Sequence, residues 1–281
     1  MKFTVEKTVF LGFMRQKIGI MGCGWLGFPL GKSWASQGVS VLGTTTTESK
    51  CKTLQDAGID SYHVVLTAHT VSNTVVSFLN KIDTLILNIP PGLRGKSSES
   101  FVEKIHVLLP YIEQSPVQQV LFVSSTSVYG NSQGVVSALS VPKPSTESGK
   151  QLLEVEQLLQ ASTAFKTTLL RLGGLIGNDR HPATMLSGKK ELKNGEAPIN
   201  LIHQKDCIAI VQKIVSGSFW GKTYCAVAPF HPSKKEYYTK EAIKRSLPVP
   251  EFTSEPTLQN KTIDAADLVA DLDYRFQYPT L

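Results

Sequence analysis

Three glycines near the beginning of the chain have the spacing of a phosphate-binding turn. Gly22, Gly24 and Gly27 follow the apolar run Lys17–Met21 and precede an apolar-patterned segment, which is the order of a strand, a tight turn and a helix. Gly22 would let the chain turn sharply, Gly24 would leave room for a pyrophosphate, and Gly27 would let the helix pack closely on the strand. Backbone N–H groups at the helix start would then face the phosphates. The alternative is a turn with a structural role alone.

This turn predicts a dinucleotide site. The residues predicted to line it are Gly22, Cys23, Gly24, Trp25, Leu26 and Gly27. Cys23 would lie beside a helix N-terminus, where the pKa of a thiol can fall. A small residue in a crowded turn is the interpretation we favour for Cys23.

The end of the second predicted strand, residues 39–43, bears on which dinucleotide is bound. In NAD-binding turns of this kind an acidic residue about 20 positions after the glycines binds the ribose 2′-hydroxyl. Here the chain continues with Thr44, Thr45 and Thr46, and Lys50 lies nearby. Hydroxyls and a lysine suit a 2′-phosphate better than a carboxylate would. The sequence therefore favours NADP over NAD, the alternative being that the threonines reflect only strand and turn propensity.

Apolar runs alternate with helical segments through the first part of the chain. Further strands are predicted at residues 64–66, 84–89 and 119–124, and a helix is predicted over 98–114. This alternation predicts right-handed crossovers and a parallel sheet. Pro90-Pro91-Gly92 ends the fourth strand abruptly at the sheet edge where ligands of such folds bind. Ile89 and Pro90 are therefore predicted to line the cofactor cleft.

A hydroxyl-rich segment leaves the fifth predicted strand at the same sheet edge. It reads Ser124-Ser125-Thr126-Ser127-Val128-Tyr129-Gly130. This segment resembles the Ser-Ser-x-x-Val-Tyr-Gly motif of the extended and atypical short-chain dehydrogenase/reductase superfamily, the NAD-dependent epimerase/dehydratase type. The resemblance implies that Ser125 hydrogen-bonds the substrate oxygen and that Ser124 lies beside the cofactor. From the residues alone, a loop that is merely rich in hydroxyls is the alternative.

The resemblance extends over about residues 17–281. Its other matching segments are Arg171-Leu172-Gly173-Gly174-Leu175-Ile176-Gly177 with Arg180, Ile202-His203-Gln204-Lys205-Asp206, Glu236-Tyr237-Tyr238, and residues 268–279. The Gly-Cys-Gly-Trp-Leu-Gly turn is similar to that of a short, uncharacterised branch. The resemblance implies an α/β fold, a Rossmann-like doubly wound parallel sheet with a small C-terminal substrate lobe.

The superfamily's catalytic Tyr-x-x-x-Lys pattern is incomplete in this chain. Aligning the helix that contains it places Lys150 on the lysine, which would hold the nicotinamide ribose, and Thr146 on the tyrosine. A threonine hydroxyl is far less acidic than a phenol of pKa ~10, so Thr146 cannot take over proton transfer. Three outcomes stay open. Tyr129, His181 or His203 could be the acid/base, the substrate could need less proton assistance, or the protein could bind the cofactor without turnover. For Tyr129 the competing interpretation is a packed aromatic ring. For His203 we favour a structural role, in which it orders its loop together with Asp206, over catalysis.

The sequence predicts three regions. Residues 1–16 form an N-terminal extension, with Met14 as a plausible true start; residues 17–176 form the NAD(P)-binding Rossmann domain; and residues 177–281 are mostly the substrate lobe, with late segments that return to the Rossmann core. In the lobe, Lys189, Lys190 and Lys193 either help to hold an anionic substrate or belong to a solvated loop.

Composition excludes several classes of protein. The 29 basic residues exceed the 23 acidic ones, giving a net charge of +6, but they are scattered, which argues against nucleic acid. Four cysteines without C-x-x-C spacing argue against a zinc site or a disulfide framework and fit a cytoplasmic protein. No apolar run approaches the ~20 residues that span a bilayer. We therefore expect neither a metal nor a membrane partner. The expected substrate is a polar small molecule, with a phosphorylated one as an option, and the expected assembly is a monomer or homodimer.

Two functional hypotheses follow, and a third is remote. The first is an NAD(P)-dependent oxidoreductase, epimerase or dehydratase that acts on a sugar-nucleotide-like or other polar carbonyl or alcohol substrate, with Ser125, Lys150 and Tyr129 as its catalytic candidates. The second is a non-catalytic NAD(P)-binding sensor or regulatory protein, which the missing phenol makes reasonable. The third is a Rossmann domain that has lost its cofactor.

Overall fold

The structure is a computed structural model that describes residues 16–92, 99–256 and 258–281. All of the predicted N-terminal extension except its last residue, including Met14, lies outside the described residues, as does Ser98, where a helix was predicted to begin.

The described residues form strands and helices that alternate along most of the chain. The strands are β1 (Lys17–Met21), β2 (Ser40–Thr45), β3 (Asp60–His63), β4 (Thr84–Leu87), β5 (Gln119–Ser125), β6 (Val135–Val136), β7 (Lys166–Leu172), β8 (Gly174–Ile176), β9 (Leu201–His203), β10 (Thr223–Ala226) and β11 (Thr262–Ile263). The helices are α1 (Gly27–Ala35), α2 (Lys50–Asp56), α3 (Thr74–Leu79), α4 (Phe101–Glu113), α5 (Glu147–Ala161), α6 (Pro182–Leu186), α7 (Gln204–Ser216), α8 (Lys234–Lys244) and α9 (Ala266–Leu272). A short 3-10 helix covers Thr126–Val128.

Seven strands form one central sheet in the order β10-β7-β5-β4-β1-β2-β3. β1 pairs in parallel with β2 on one side and with β4 on the other, so that Ile18 lies opposite both Val41 and Thr84. The strand order therefore reverses between β1 and β4, which is the topological switch point at which open α/β sheets bind ligands. The predicted Rossmann-like, doubly wound parallel sheet is confirmed.

The central strands form because their sequences are continuously apolar. All four side chains of β4 are buried, as are those of β1 after Lys17, which is typical of strands covered on both faces. α1 packs Leu30 and Trp34 into the same core, where Trp34 is fully buried. Burying apolar area of this kind is the main source of stability in a domain of this size.

The third strand was predicted at the wrong place. Instead of residues 64–66, the strand is Asp60–His63, which pairs in parallel with β2 at the edge of the sheet. An edge strand is covered less completely, so its sequence carries polar residues and lacks the apolar run of a central strand. Val64 is buried just after the strand ends, and Leu66 forms an isolated antiparallel bridge with Val71.

Other element ends differ by a few residues from those predicted. β4 ends at Leu87 and not at Ile89, and β2 continues to Thr45. α4 begins at Phe101 after the N-cap residue Ser100, whose side chain accepts a hydrogen bond from the N–H of Glu103. This serine and glutamate form the sequence pattern of a capping box, which explains why the helix begins there.

The chain consists of two compact units, each assembled from separate stretches of sequence. The first contains the described residues up to Ser124 together with Lys150–Leu170 and Ile210–Thr223, and the second contains Ser125–Gly149, Arg171–Ala209 and Tyr224–Leu281. The domain boundaries predicted from the sequence stay a prediction.

The second unit has a core of its own and two small sheets. Its buried cluster consists of Ile176, Ala183, Ile199, Leu201, Tyr237 and Tyr238. β6 pairs in parallel with β11, and β8 pairs in parallel with β9. No helix of the described residues in either unit is long and apolar enough to cross a bilayer.

Candidate functional site

The glycine turn in the first unit has the geometry that its spacing predicts. Gly22 directly follows β1 and has a φ of +102°, a conformation that side chains other than glycine rarely adopt. A Cβ on Gly22 would also lie 2.5 Å from the backbone oxygen of Asn88. At Gly27, the first residue of α1, a Cβ would collide with the backbone oxygen of Gly22. Packing inside the protein therefore accounts for these two glycines.

Gly24 differs because nothing in the protein requires it to be glycine. It is exposed, and a Cβ added there would meet no described heavy atom within 4 Å. Its φ also lies outside the left-handed region, in contrast to that of Gly22. The space in front of Gly24 is the place where a pyrophosphate would need to approach the backbone.

The helix end next to Gly24 suits a negatively charged group. α1 has Leu26 as its N-cap residue, no side-chain cap and no acidic residue in its first turn. The first N–H groups of a helix have no partner within the helix, and the helix dipole favours an anion beside them. Together with the open space at Gly24, this end fits the phosphates of a dinucleotide.

Asn88 is a residue that the sequence analysis missed. It follows β4 directly. Its side-chain Nδ2 donates to the backbone oxygen of Gly22 at 2.9 Å, and its backbone N–H donates to the backbone oxygen of Met21. Asn88 therefore clamps the glycine turn to the neighbouring strand. A polar residue immediately after the apolar run Leu85–Leu87 was the signal that could have identified it.

The threonines at the end of β2 divide into different roles. Thr44 is buried, and its hydroxyl and backbone oxygen accept from the N–H groups of Gly22 (3.1 Å) and Cys23 (2.9 Å) respectively. The Thr45 hydroxyl accepts from the N–H of Thr47 at 3.2 Å. Thr46 is exposed. Thr44 thus holds the glycine turn in place, and Thr46 is the member of the set that faces solvent.

The lowered thiol pKa considered for Cys23 is contradicted. Burial raises the pKa of Cys23 to about 12, although a backbone hydrogen bond from Thr44 opposes the rise. A Cβ added to Gly43 in β2 would lie 2.5 Å from the Sγ of Cys23, so the thiol packs against this strand. Cys23 is a packing residue of the turn, as we favoured.

The other cofactor candidates of the first unit are spread over its surface and interior. Ile89 is partly buried beside Gly22, and Pro90 is exposed. Ser124 is buried, and its hydroxyl donates to Glu156 Oε1 at 2.6 Å. Lys150 is exposed on α5. Ser124 therefore has a structural partner inside the unit, whereas Lys150 projects where a ligand can reach it.

The second unit contains a cavity with a volume of about 270 Å³ that Ser125 helps to line. The Ser125 hydroxyl accepts from the N–H of Ser127 at 3.1 Å and, among the described residues, donates to no partner. Its hydrogen is therefore available to a ligand oxygen. The residues that line the cavity are Ser125, Thr126, Ser127, Asn131, Ala197, Pro198, Ile199, Asn200, Leu201, Lys234, Tyr238, Gln259 and Lys261.

Tyr129 lies in the interior and does not line the cavity. Its side chain is buried, its hydroxyl donates to the backbone oxygen of Ser137 at 2.7 Å, and Arg171 donates to that hydroxyl. Burial and the neighbouring Cys225 raise the pKa of Tyr129 above its usual range, although Arg171 opposes the rise. These contacts favour the packed-aromatic interpretation over proton transfer.

Thr146, which the sequence resemblance aligns with the superfamily tyrosine, caps a helix. It immediately precedes α5, and its hydroxyl accepts from the N–H of Gly149 at 3.1 Å, which is the geometry of an N-cap residue. A Cβ on Gly149 would collide with the backbone oxygen of Ser127, so the chain is tightly packed at this point.

The two histidine candidates have structural partners. His181 is the N-cap residue of α6, and its Nε2 lies 3.0 Å from the Tyr237 hydroxyl and 3.6 Å from Glu241. Burial, with the charge of Arg245, lowers the pKa of His181 to about 4. Neither His181 nor His203 lines the cavity.

The His-x-x-Asp segment anchors the C-terminal region of the second unit. Asp206 is fully buried and accepts hydrogen bonds from the Tyr274 hydroxyl at 2.7 Å and from the N–H groups of Gln277 and Tyr278. His203 stacks on the Tyr278 ring with centroids 3.7 Å apart, and burial lowers its pKa. The pair orders a distant segment in addition to its own loop.

Two of the three lysines expected to hold an anion, Lys190 and Lys193, have acidic partners. Lys190 pairs with Glu251 at 3.2 Å and Lys193 with Glu255 at 3.3 Å, both on the surface. The cavity instead contains Lys234 and Lys261, which the sequence analysis did not identify. They are 27 residues apart in sequence and belong to no local motif, so only the fold brings them to one cavity.

No group of three or more His, Cys, Asp or Glu side chains in the described ranges has the arrangement of a metal site. Two places in the described residues carry candidate chemistry: the glycine turn of the first unit, with its backbone N–H groups, and the cavity of the second unit, with hydroxyl and ammonium groups.

Comparison with known proteins relates the chain to two groups. Residues 17–141 match the family model of the NAD binding domain of 6-phosphogluconate dehydrogenase. Protein YeeZ of Escherichia coli K12 is 32% identical over 266 residues, which cover 94% of this chain and 97% of that protein.

Solved structures with a similar fold include dinucleotide-binding enzymes. A functionally unknown conserved protein from Silicibacter pomeroyi has a TM-score of 0.76 at 19% identity, and the match covers 94% of this chain and 95% of that one. UDP-glucuronic acid 4-epimerase from Bacillus cereus, solved in complex with UDP-glucuronic acid and NAD, has a TM-score of 0.76 at 18% identity over 94% of both chains. At such identities the likeness establishes a common fold.

Proposed function

The chain belongs to the family of Escherichia coli Protein YeeZ and has the NAD-binding Rossmann fold of epimerase/dehydratase-type short-chain dehydrogenases/reductases, and from that premise we propose that it is an NAD(P)-dependent enzyme. Its reaction is the oxidation, reduction, epimerisation or dehydration of a polar carbonyl or alcohol substrate. The first unit would bind the dinucleotide and the second the substrate.

The observation that carries this proposal is the open space at Gly24. Gly22 and Gly27 are explained by the backbone conformation and by contacts inside the protein, but Gly24 is explained by neither. A glycine that the protein itself does not need is accounted for by a ligand that approaches the backbone closely. Its place before a helix N-terminus without a side-chain cap favours an anion as that ligand.

The residues present fit a dinucleotide. Gly22, Gly24 and Leu26 would hold its pyrophosphate, Thr46 would meet the adenosine ribose, and Ile89 and Pro90 would line the cleft. The bound nicotinamide would accept or donate a hydride. NADP stays our preferred form, because no carboxylate follows β2 before Glu48.

In the second unit, Ser125 would hold the substrate. Its hydroxyl already accepts from Ser127, so its own hydrogen can be donated to a substrate carbonyl or alcohol oxygen. Such a bond orients the oxygen and stabilises the negative charge that develops on it. A sugar nucleotide is one candidate substrate, since the Bacillus cereus epimerase of the same fold was solved with UDP-glucuronic acid. Lys150 stays our proposal for the residue that holds the nicotinamide ribose.

Thermal-shift titration with NAD, NADP and their reduced forms tests the dinucleotide site. A ligand that binds only the folded protein at 100 times its Kd stabilises it by about 2.7 kcal/mol. We expect a rise in melting temperature, larger with the NADP forms. If none of the four dinucleotides raises the melting temperature, the proposed function is wrong.

A turnover assay then tests whether the protein is an enzyme. Reduced cofactor is mixed with a panel of carbonyl compounds and nucleotide sugars, and both cofactor oxidation and epimerised products are measured. Ser125→Ala is expected to lose at least tenfold in turnover while its dinucleotide affinity stays unchanged. Ser132→Ala is the matched control. The Ser132 hydroxyl donates to the backbone oxygen of Leu258, and neither residue lines the cavity.

The second candidate function, a non-catalytic dinucleotide sensor, is favoured by one observation. Thr146 uses its hydroxyl to cap α5 at the position of the superfamily's proton-transferring tyrosine. Dinucleotide binding without turnover across the panel, in the wild type as in Ser125→Ala, would select the sensor.

A further inference from the structure

Two lysines in the second unit lie in a cavity that has no acidic lining residue. Lys234, the first residue of α8, and Lys261, just before β11, both line the 270 Å³ cavity that contains Ser125. The other lining residues are uncharged. Within the described part of the chain, neither lysine forms an ion pair. The cavity therefore holds two positive charges with no opposite charge beside them.

Both ammonium groups are fixed by neutral acceptors. Lys261 Nζ donates to the backbone oxygens of Thr126 and Tyr129, each at 3.0 Å, and Lys234 Nζ donates to Gln259 Oε1 at 3.0 Å. A lysine ammonium has three N–H donors. One donor of Lys261 and two donors of Lys234 are therefore left for a ligand.

The electrostatics show that these charges are held at a cost. Burial lowers the pKa of Lys234, and burial together with the charge of Lys234 lowers the pKa of Lys261. Two partly buried charges that repel each other are expensive unless a counter-charge joins them. An anion in the cavity would remove both the repulsion and the unsatisfied donors.

We propose that Lys234 and Lys261 form a binding site for the phosphoryl group of the substrate. A phosphoryl dianion matches the two positive charges, and its terminal oxygens can accept from the three remaining donors. The Ser125 hydroxyl, which lines the same cavity, would contact the reacting part of the same molecule. This inference rests on the proposed function for the role of Ser125, and it narrows the substrate class to phosphorylated compounds.

Asn200, which also lines the cavity, fixes the chain on which Lys261 lies. Its Nδ2 donates to the backbone oxygen of Lys261 at 2.8 Å, and its Oδ1 accepts from the N–H of Ile263 at 2.8 Å. These bonds fix the backbone that carries Lys261. The lysine is thus held in place before a ligand arrives, which lowers the entropic cost of binding.

The test is calorimetric titration of the full chain with inorganic phosphate, in the presence of saturating dinucleotide so that the glycine turn is filled. Lys234→Gln removes one charge and, of the side-chain hydrogen bonds in the described part of the chain, affects the one to Gln259. We expect phosphate to bind at least tenfold more weakly to Lys234→Gln than to the wild type. Lys234→Arg, which keeps the charge, should bind within about threefold of the wild type, because charge-assisted contacts supply the affinity.

Lys235→Gln is the matched control, because it removes the same charge from an exposed neighbouring lysine that does not line the cavity. Equal phosphate affinity in Lys234→Gln and Lys235→Gln would overturn the proposal, as would tighter binding of malonate than of phosphate to the wild type. Melting temperatures without ligand show whether each variant is folded. Dinucleotide affinity is titrated separately, so that a failure of the dinucleotide site is distinguished from a failure of the lysine site.

Discussion

Replacing Gly24 separates a ligand-binding role from a structural one. In Gly24→Ala and Gly24→Val the new atoms enter space that contains no described protein atom within 4 Å of the Cβ position. The backbone there does not require a positive φ. We therefore expect the free energy of unfolding to change by no more than about 0.5 kcal/mol, as for other exposed positions.

The effect on dinucleotide binding should be much larger. A side chain at this position would displace the pyrophosphate from the helix N-terminus and from the N–H groups around it. A hydrogen bond to a charged group contributes about 1.5 kcal/mol. Losing two of them would cost about 3 kcal/mol, or about 100-fold in Kd. The loss should be smaller for alanine than for valine.

The assay combines a thermal melt with a titration of NADPH fluorescence. Gly27→Ala is the contrasting variant, because its Cβ would collide with the Gly22 carbonyl and lower stability by about 2 kcal/mol as overpacking does. If Gly24→Val binds NADPH with wild-type affinity, the space at Gly24 does not hold a pyrophosphate. If Gly24→Val instead melts as early as Gly27→Ala, the position is structural and the reasoning is wrong.

Three further predictions concern Asn88, Thr146 and His181. Asn88→Ala removes the side-chain bond to Gly22, so denaturation should show a loss of about 1 kcal/mol and titration a weaker dinucleotide affinity, whereas an unchanged affinity would contradict the clamp. Thr146→Val should lower stability by about 1 kcal/mol without changing turnover, and Thr146→Ser should restore stability; a loss of turnover in Thr146→Val at full stability would contradict the capping role. His181 has a folded-state pKa of about 4, below its unfolded value of 6.5, so the unfolded state binds the proton more readily and stability is lost as the pH falls from 6.5 towards 4. Urea unfolding at about pH 5 should show a loss of about 2 kcal/mol relative to neutral pH, and His181→Gln should flatten this dependence.

The fold was predictable because its strongest signals are local. Continuous apolar runs identified β1, β4 and β5, and the glycines identified the turn after β1. The third strand was misplaced because an edge strand need not be apolar, so the apolar residues after it gave a false signal. Periodicity reports burial, and burial is only a partial guide to strand pairing.

The site was predictable only in part, since side-chain partners depend on distant residues. The sequence assigned Thr44 to a ribose, but the fold uses its hydroxyl to hold Gly22. It offered Tyr129 as an acid, but the fold surrounds that hydroxyl with Ser137 and Arg171. Which hydroxyls already have partners cannot be seen in a linear pattern.

The sequence by itself determined the strand, turn and helix around Gly22, Gly24 and Gly27, because steric limits on φ and on close approach act within a few residues. The resemblance read from the sequence also predicts that Thr146 occupies the position of the superfamily tyrosine. Only the tertiary structure decided that Gly24 is the one of these three glycines that faces open space, and that Lys234 and Lys261 share one cavity with Ser125. Packing brings the ammonium groups of these two lysines to one cavity although they are far apart in sequence. Their mutual repulsion, and the lack of an acidic residue among those that line the cavity, therefore follow from the folded structure.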